Sequence, residues 1–202
     1  MPSALARAQR RALLTVAVAG LLLGALQALP EAWLQVLRYE RGAVLQGEFW
    51  RLWTGHLVHL GWTHWALNAL GLLVCVLLAD APPAPRVLLR QVAVLALGIS
   101  LLFVLLLPRL AHYVGLSGVL YGMFLLALWP GVRRLDPVSI AALCTIAAWL
   151  GAQLIRGPDR HEEALVGGNI IVQAHVFGLA CAALMLAAPQ RLRSWRHDRA
   201  GC

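Results

Sequence analysis

Apolar residues run along this chain in long blocks, and the polar residues collect between them. A block of about 17–25 apolar residues is long enough to cross a bilayer as a helix. Six such blocks are present, roughly Ala12–Leu29, Trp62–Ala79, Val87–Leu107, Tyr113–Trp129, Val138–Ile155 and Asn169–Ala188. Helix breakers separate the later ones: Pro82-Pro83-Ala84-Pro85, Pro108, Pro130-Gly131, Asp136-Pro137, Gly157-Pro158 and Gly167-Gly168. The pattern predicts an all-α membrane protein, a bundle of six transmembrane helices in one domain spanning residues 1–202, without internal repeats.

Composition agrees. Of 202 residues, 60% are apolar and 13% charged, against about 45–50% and 25% in soluble domains. A soluble fold of this size could not hide so much apolar surface. The net charge of +8 would suit nucleic acid, but its distribution does not. All 17 basic residues are Arg and sit at the ends of apolar blocks, as topology determinants do.

With the N-terminus in the cytoplasm, the inner segments hold Arg7, Arg10, Arg11, Arg86, Arg90, Arg133, Arg134, Arg191, Arg193, Arg196 and Arg199. The outer segments hold Arg38, Arg41, Arg51, Arg109, Arg156 and Arg160. This excess predicts both termini inside. The first block exceeds the 7–15 residues usual for a signal-peptide core, and Leu29-Pro30-Glu31 is a poor cleavage site, so it reads as a retained helix. The longest connection, Pro30–Gly61, lies outside; its mixture of Trp33, Trp50 and Trp53 with Arg and Leu suits an amphipathic structure in the interface.

Cys75, Cys144 and Cys181 lie inside apolar blocks and read as packing residues. Nothing in the sequence assigns a role to Cys202 or His56. There is no metal-binding spacing; His56, His59 and His64 lack an HExxH pattern and a nearby carboxylate. No cofactor is expected.

Polar side chains inside membrane helices are costly and each demands a reason. Ser100, Ser139 and Thr145 read as hydroxyls satisfied by a helix backbone. Ser117 differs, standing in Gly115-Leu116-Ser117-Gly118 at the outer end of its block, with Tyr121 and Gly122 following. Flanking glycines leave room for a substrate backbone, and a helix N-terminus favours an oxyanion. The same glycines would also serve simple close helix packing.

His175 tips the balance. It lies six residues into its block, about 9 Å deep at 1.5 Å per residue, a depth similar to that of Ser117. A serine nucleophile needs such a base, and Gly118, Gly122 and Gly178 allow the two helices to touch. His64 and Asn68, four residues apart, share a helix face and can both donate hydrogen bonds. Asn68 would equally serve interhelical bonding.

Together these residues resemble the rhomboid family of intramembrane serine proteases, from Trp50 to about Ala183. The resemblance rests on Trp50-Arg51, His59, His64 with Asn68, Gly115-Leu116-Ser117-Gly118 with Tyr121, and Ala174-His175 with Gly178. It implies a Ser117 nucleophile and a His175 base without an Asp. It further implies an oxyanion hole from His64, Asn68 and the Ser117 N–H, and Tyr121 packed on the His175 ring. Substrates would be membrane-anchored proteins. The string Trp50 to Leu60 (WRLWTGHLVHL) resembles the rhombosortase branch, which implies C-terminal Gly-Gly tail anchors as substrates and a multi-pass enzyme of the bacterial inner membrane. A general rhomboid protease and a non-catalytic client-binding relative are the alternatives. A His-lined transporter is disfavoured because no block has an acid or Arg near its centre.

Overall fold

The computed structural model describes residues 4–79 and 83–188. Pro82, the terminal Arg191, Arg193, Arg196 and Arg199, and Cys202 lie outside the described residues. In chain order the elements are α1 (Ala4–Gln27), α2 (Glu31–Leu37), β1 (Tyr39–Glu40), α3 (Arg41–Leu45), α4 (Arg51–Thr54) and α5 (Trp62–Leu78). They continue with α6 (Pro85–Leu106), β2 (His112–Tyr113), α7 (Ser117–Arg133), α8 (Pro137–Arg156), α9 (Arg160–Val166) and α10 (Val172–Ala187).

One long helix overlaps each of the six apolar blocks, and α1 begins at Ala4, ahead of its block's start at Ala12. Within α1, α6 and α8, the stretches Ala6–Gln27, Pro85–Leu106 and Pro137–Arg156 are long and apolar enough to cross a membrane; Trp62–Leu78 and Val172–Ala187 are shorter apolar helices. Local chemistry sets the ends. Pro85 and Pro137 occupy first-turn positions, where their missing N–H costs nothing. Asp136 caps α8 by accepting from the Ser139 N–H at 2.8 Å.

The fourth block departs from the sequence reading at both ends. Its helix begins at Ser117 instead of Tyr113, because His112–Tyr113 is extended and pairs antiparallel with Tyr39–Glu40. At the other end Pro130 and Gly131, expected to break the helix, lie inside α7. Proline's fixed φ is itself helical, and its missing N–H removes one helix hydrogen bond. The last turn is held from beyond: the Arg134 and Asp136 N–H groups donate to the Gly131 carbonyl at 2.9 and 3.0 Å, and Ser139 packs on Gly131. The Gly157–Gly168 connection, marked in the sequence only by the breakers at its two ends, contains α9, capped by Asp159 at its start and by left-handed Gly167 at its end.

The exterior is apolar and the interior partly polar. Leu21, Leu105, Ile155 and Leu184 are 71–85% exposed, whereas His56, His64, Asn68, Ser100 and His175 are buried. That inversion fits helices solvated by lipid, with polar groups turned towards one another. The closest packing joins α7 to α10. A Cβ on Gly118 would lie 2.9 Å from the Ala174 carbonyl, one on Gly122 would lie 2.7 Å from the Gly178 carbonyl, and one on Gly178 would overlap the Gly118 carbonyl. Three glycines thus bring the backbones into contact.

The outer connection is built around Arg51. Its Nε donates to Glu48 at 2.6 Å and its Nη1 to the Gln35 and Arg38 carbonyls, both at 2.8 Å, which ties down the C-terminal end of α2. The Arg41 guanidinium does the same for α6, donating to the Val104 carbonyl at 2.7 Å.

Candidate active site

The α7–α10 contact places two side chains opposite each other. Ser117 is the first residue of α7 and His175 lies in the first turn of α10. The His175 Nε2 is 3.0 Å from the Ser117 Oγ. Tyr121, one turn beyond Ser117, stacks on the imidazole with ring centroids 4.3 Å apart and planes 9° from parallel. This fixes the ring without an acid. The His175 Nδ1 has no hydrogen-bond partner among the described residues. With the proton on Nδ1, Nε2 can accept the Ser117 hydroxyl proton, as a general base does.

Both residues line a cavity of about 300 Å³ with His64, Asn68, Tyr113, Gly71, Leu120 and Phe124. Three of these residues keep a hydrogen-bond donor uncommitted. The Leu60 N–H makes a long, 3.4 Å bond to the His64 Nδ1, which leaves Nε2 to carry the proton. Asn68 gives one amide hydrogen to the His64 carbonyl at 3.0 Å and keeps a second. The Ser117 N–H belongs to the first turn of a helix, which has no intrahelical acceptor. Three such donors lining one cavity with a serine–base pair can stabilise a tetrahedral oxyanion.

Gly115 shapes this wall. Its φ of +118° suits glycine, and a Cβ there would stand 2.6 Å from the His64 Cε1. His59 supports His64 from the other side, edge to face at 5.1 Å. Burial, and secondarily His64, push the His59 imidazole down to about 3, so it is neutral. Trp50 and Arg51 do not line the cavity; they brace the outer connection.

Two features of this region had no signature in the sequence. One is Tyr113, whose hydroxyl donates to the Gly115 carbonyl at 2.8 Å. The other is the buried pair of His56 and Ser100, 3.0 Å apart; Ser100 bonds to the Leu52 carbonyl instead of its own helix. Their partners lie up to 48 residues apart, beyond any local pattern.

If His64 and Asn68 each supply an oxyanion donor, replacing either by Ala lowers turnover by about 10²–10³-fold. Kinetics on a reconstituted transmembrane reporter would check this. Unchanged turnover in the double variant would remove both from the mechanism.

A comparison with curated proteins finds no match. The Rhomboid domain family model matches residues 46–189, well over half of the chain and the whole of this site. The chain is therefore a multi-pass membrane protein that belongs to the rhomboid family, whose members are intramembrane serine proteases acting on membrane-protein substrates within the bilayer.

Proposed function

We propose that this protein is a rhombosortase-like intramembrane endopeptidase that cuts C-terminal Gly-Gly tail anchors from exported proteins at the outer edge of the bacterial inner membrane. The observation that carries the catalytic part is the 3.0 Å contact between Ser117 and His175 in a cavity shared with His64 and Asn68.

The Ser117 Oγ attacks the scissile carbonyl carbon while His175 Nε2 takes its proton. The carbonyl π electrons move to oxygen, and the Ser117 N–H, His64 and Asn68 receive that oxyanion. Collapse expels the amine, which leaves with the proton from His175, and an acyl-Ser117 remains. Water, deprotonated by His175, then attacks the acyl carbon and releases the carboxylate and the free serine.

Three arguments support the substrate reading. The pair lies at the N-terminal ends of α7 and α10, so it reaches a bond near one surface of the bilayer. A peptide must leave helical geometry to lie beside Ser117, and glycine favours that. The Trp50–Leu60 string resembles the rhombosortase branch. Liposomes holding the enzyme, offered a Gly-Gly tail anchor and an ordinary transmembrane segment without the glycines, test it. Preferential cutting of the tail is expected. Equal or better cutting of the ordinary segment makes the protein a general rhomboid protease.

The same reading takes α1, α5, α6, α7, α8 and α10 as six spans of one domain, with both termini cytoplasmic and residues 30–61 outside. The Arg excess on the inner segments supports it. A reporter fused after Cys202 should be active only in the cytoplasm; activity only on the outer face would reverse the topology.

A further inference from the structure

We propose that Tyr113 is a positioning residue for the Ser117 turn, held in place by the buried His56–Ser100 pair. The inference rests on Ser117 being the nucleophile, and it begins with a proton count. Ser100 has one hydroxyl proton and donates it to the Leu52 carbonyl at 2.8 Å. In the 3.0 Å contact between Ser100 Oγ and His56 Nε2, the imidazole must therefore be the donor. The pair is thus wired in the opposite sense to Ser117 and His175: its serine proton is committed to backbone. Both residues are fully buried and neither lines the Ser117 cavity. This is a strut that ties Leu52 of α4 and the turn after it, which carries His56, to α6; it is not a second nucleophile.

The strut fixes an aromatic ring. The His56 ring lies 5.2 Å from that of Tyr113, and Phe103 closes on Tyr113 from another side at 4.9 Å. The Tyr113 backbone is pinned by pairing with Tyr39. Its freedom is used up except at the hydroxyl, which reaches the cavity wall and donates to the Gly115 carbonyl at 2.8 Å.

Gly115 is where that bond matters. The residue is in a left-handed conformation, its N–H is held by the Gly55 carbonyl at 3.0 Å next to His56, and it lies beside the His64 ring so closely that a Cβ there would clash. Two residues later the chain reaches Ser117. The orientation of one peptide unit thus sets both the His64 ring and the nucleophile. Without the Tyr113 hydroxyl, that unit is free to rotate, and the donors drift from the oxyanion by a fraction of an ångström.

The test uses the full-length protein in liposomes with a transmembrane reporter, and active enzyme is counted by fluorophosphonate titration. Tyr113→Phe removes one oxygen and keeps the packing. It is expected to lower kcat per titrated site by about 10–100-fold, with KM within about twofold of wild type and only the small drop in thermal unfolding temperature that one lost buried hydrogen bond causes. His56→Leu should show the same kcat loss, and His56→Gln, whose amide can again donate to Ser100, should recover most of it. A purely structural role would instead lower the titrated fraction and leave kcat per site unchanged, which would overturn the proposal. Wild-type kcat in Tyr113→Phe would overturn it as well, even if His56→Leu fails to fold. Ser117→Ala run alongside separates the two levels. Cleavage by that variant would remove the nucleophile assignment, whereas a dead Ser117→Ala beside a fully active Tyr113→Phe would remove only the positioning role.

Discussion

Ser117→Ala is expected to abolish cleavage while the protein still inserts and folds. The expected loss is on the order of 10⁴-fold or more, as when a serine nucleophile is removed from a cooperating catalytic group. The fold should survive because the Ser117 hydroxyl faces a cavity and bonds to His175, not to the framework. The change deletes one oxygen at the start of a helix whose packing is made by Gly118 and Gly122. Cleavage of a membrane-anchored substrate, with membrane extraction and thermal unfolding of both proteins, would check it. Activity close to wild type in a folded variant would end the proposal that Ser117 is the nucleophile.

Gly178→Val is expected to do comparable damage by a different route. A Cβ on Gly178 would overlap the Gly118 carbonyl, and a backbone atom on a packed helix cannot swing aside. Overpacking of this kind costs about 1–3 kcal/mol and occasionally more. To relieve it α7 and α10 must separate, which lengthens the contact between Ser117 and His175. A misplacement of about 1 Å costs on the order of 100-fold in rate, so the variant should lose activity even where it stays folded. Gly151→Ala is the control: nothing lies within 4 Å of a Cβ there, so stability should be kept or raised by about 0.5–1 kcal/mol. Thermal unfolding and cleavage assays on both variants would show the contrast. Wild-type activity in Gly178→Val would mean that the helices need no such approach.

The parts of this protein that were legible in the sequence are those with short-range signatures. Long apolar blocks located the helices, because a lipid-solvated helix must be apolar over its whole length. Ser117 stood out through its glycines, and His175 through the cost of burying an imidazole in a membrane. His64 and Asn68 were paired by helical periodicity. Long-range features left no such trace. The helix through Pro130 depends on hydrogen bonds to Gly131 from residues beyond it, so a breaker rule misread it. Tyr113 looked like the first residue of a span, but pairing with Tyr39 across 74 residues of sequence holds it extended. The tie from His56 to Ser100 and Leu52 likewise exists only once α4 and α6 have packed.

The most direct test of the central claim is to find which residue a fluorophosphonate modifies. The reagent forms a covalent bond with a serine oxygen only where a neighbouring base activates it. The protein in detergent or liposomes should take up one equivalent, peptide mass spectrometry should locate it on Ser117, and His175→Ala should react far more slowly or not at all. An adduct on another residue, no adduct under conditions where substrate is cut, or undiminished labelling in His175→Ala would contradict the proposed Ser117–His175 mechanism.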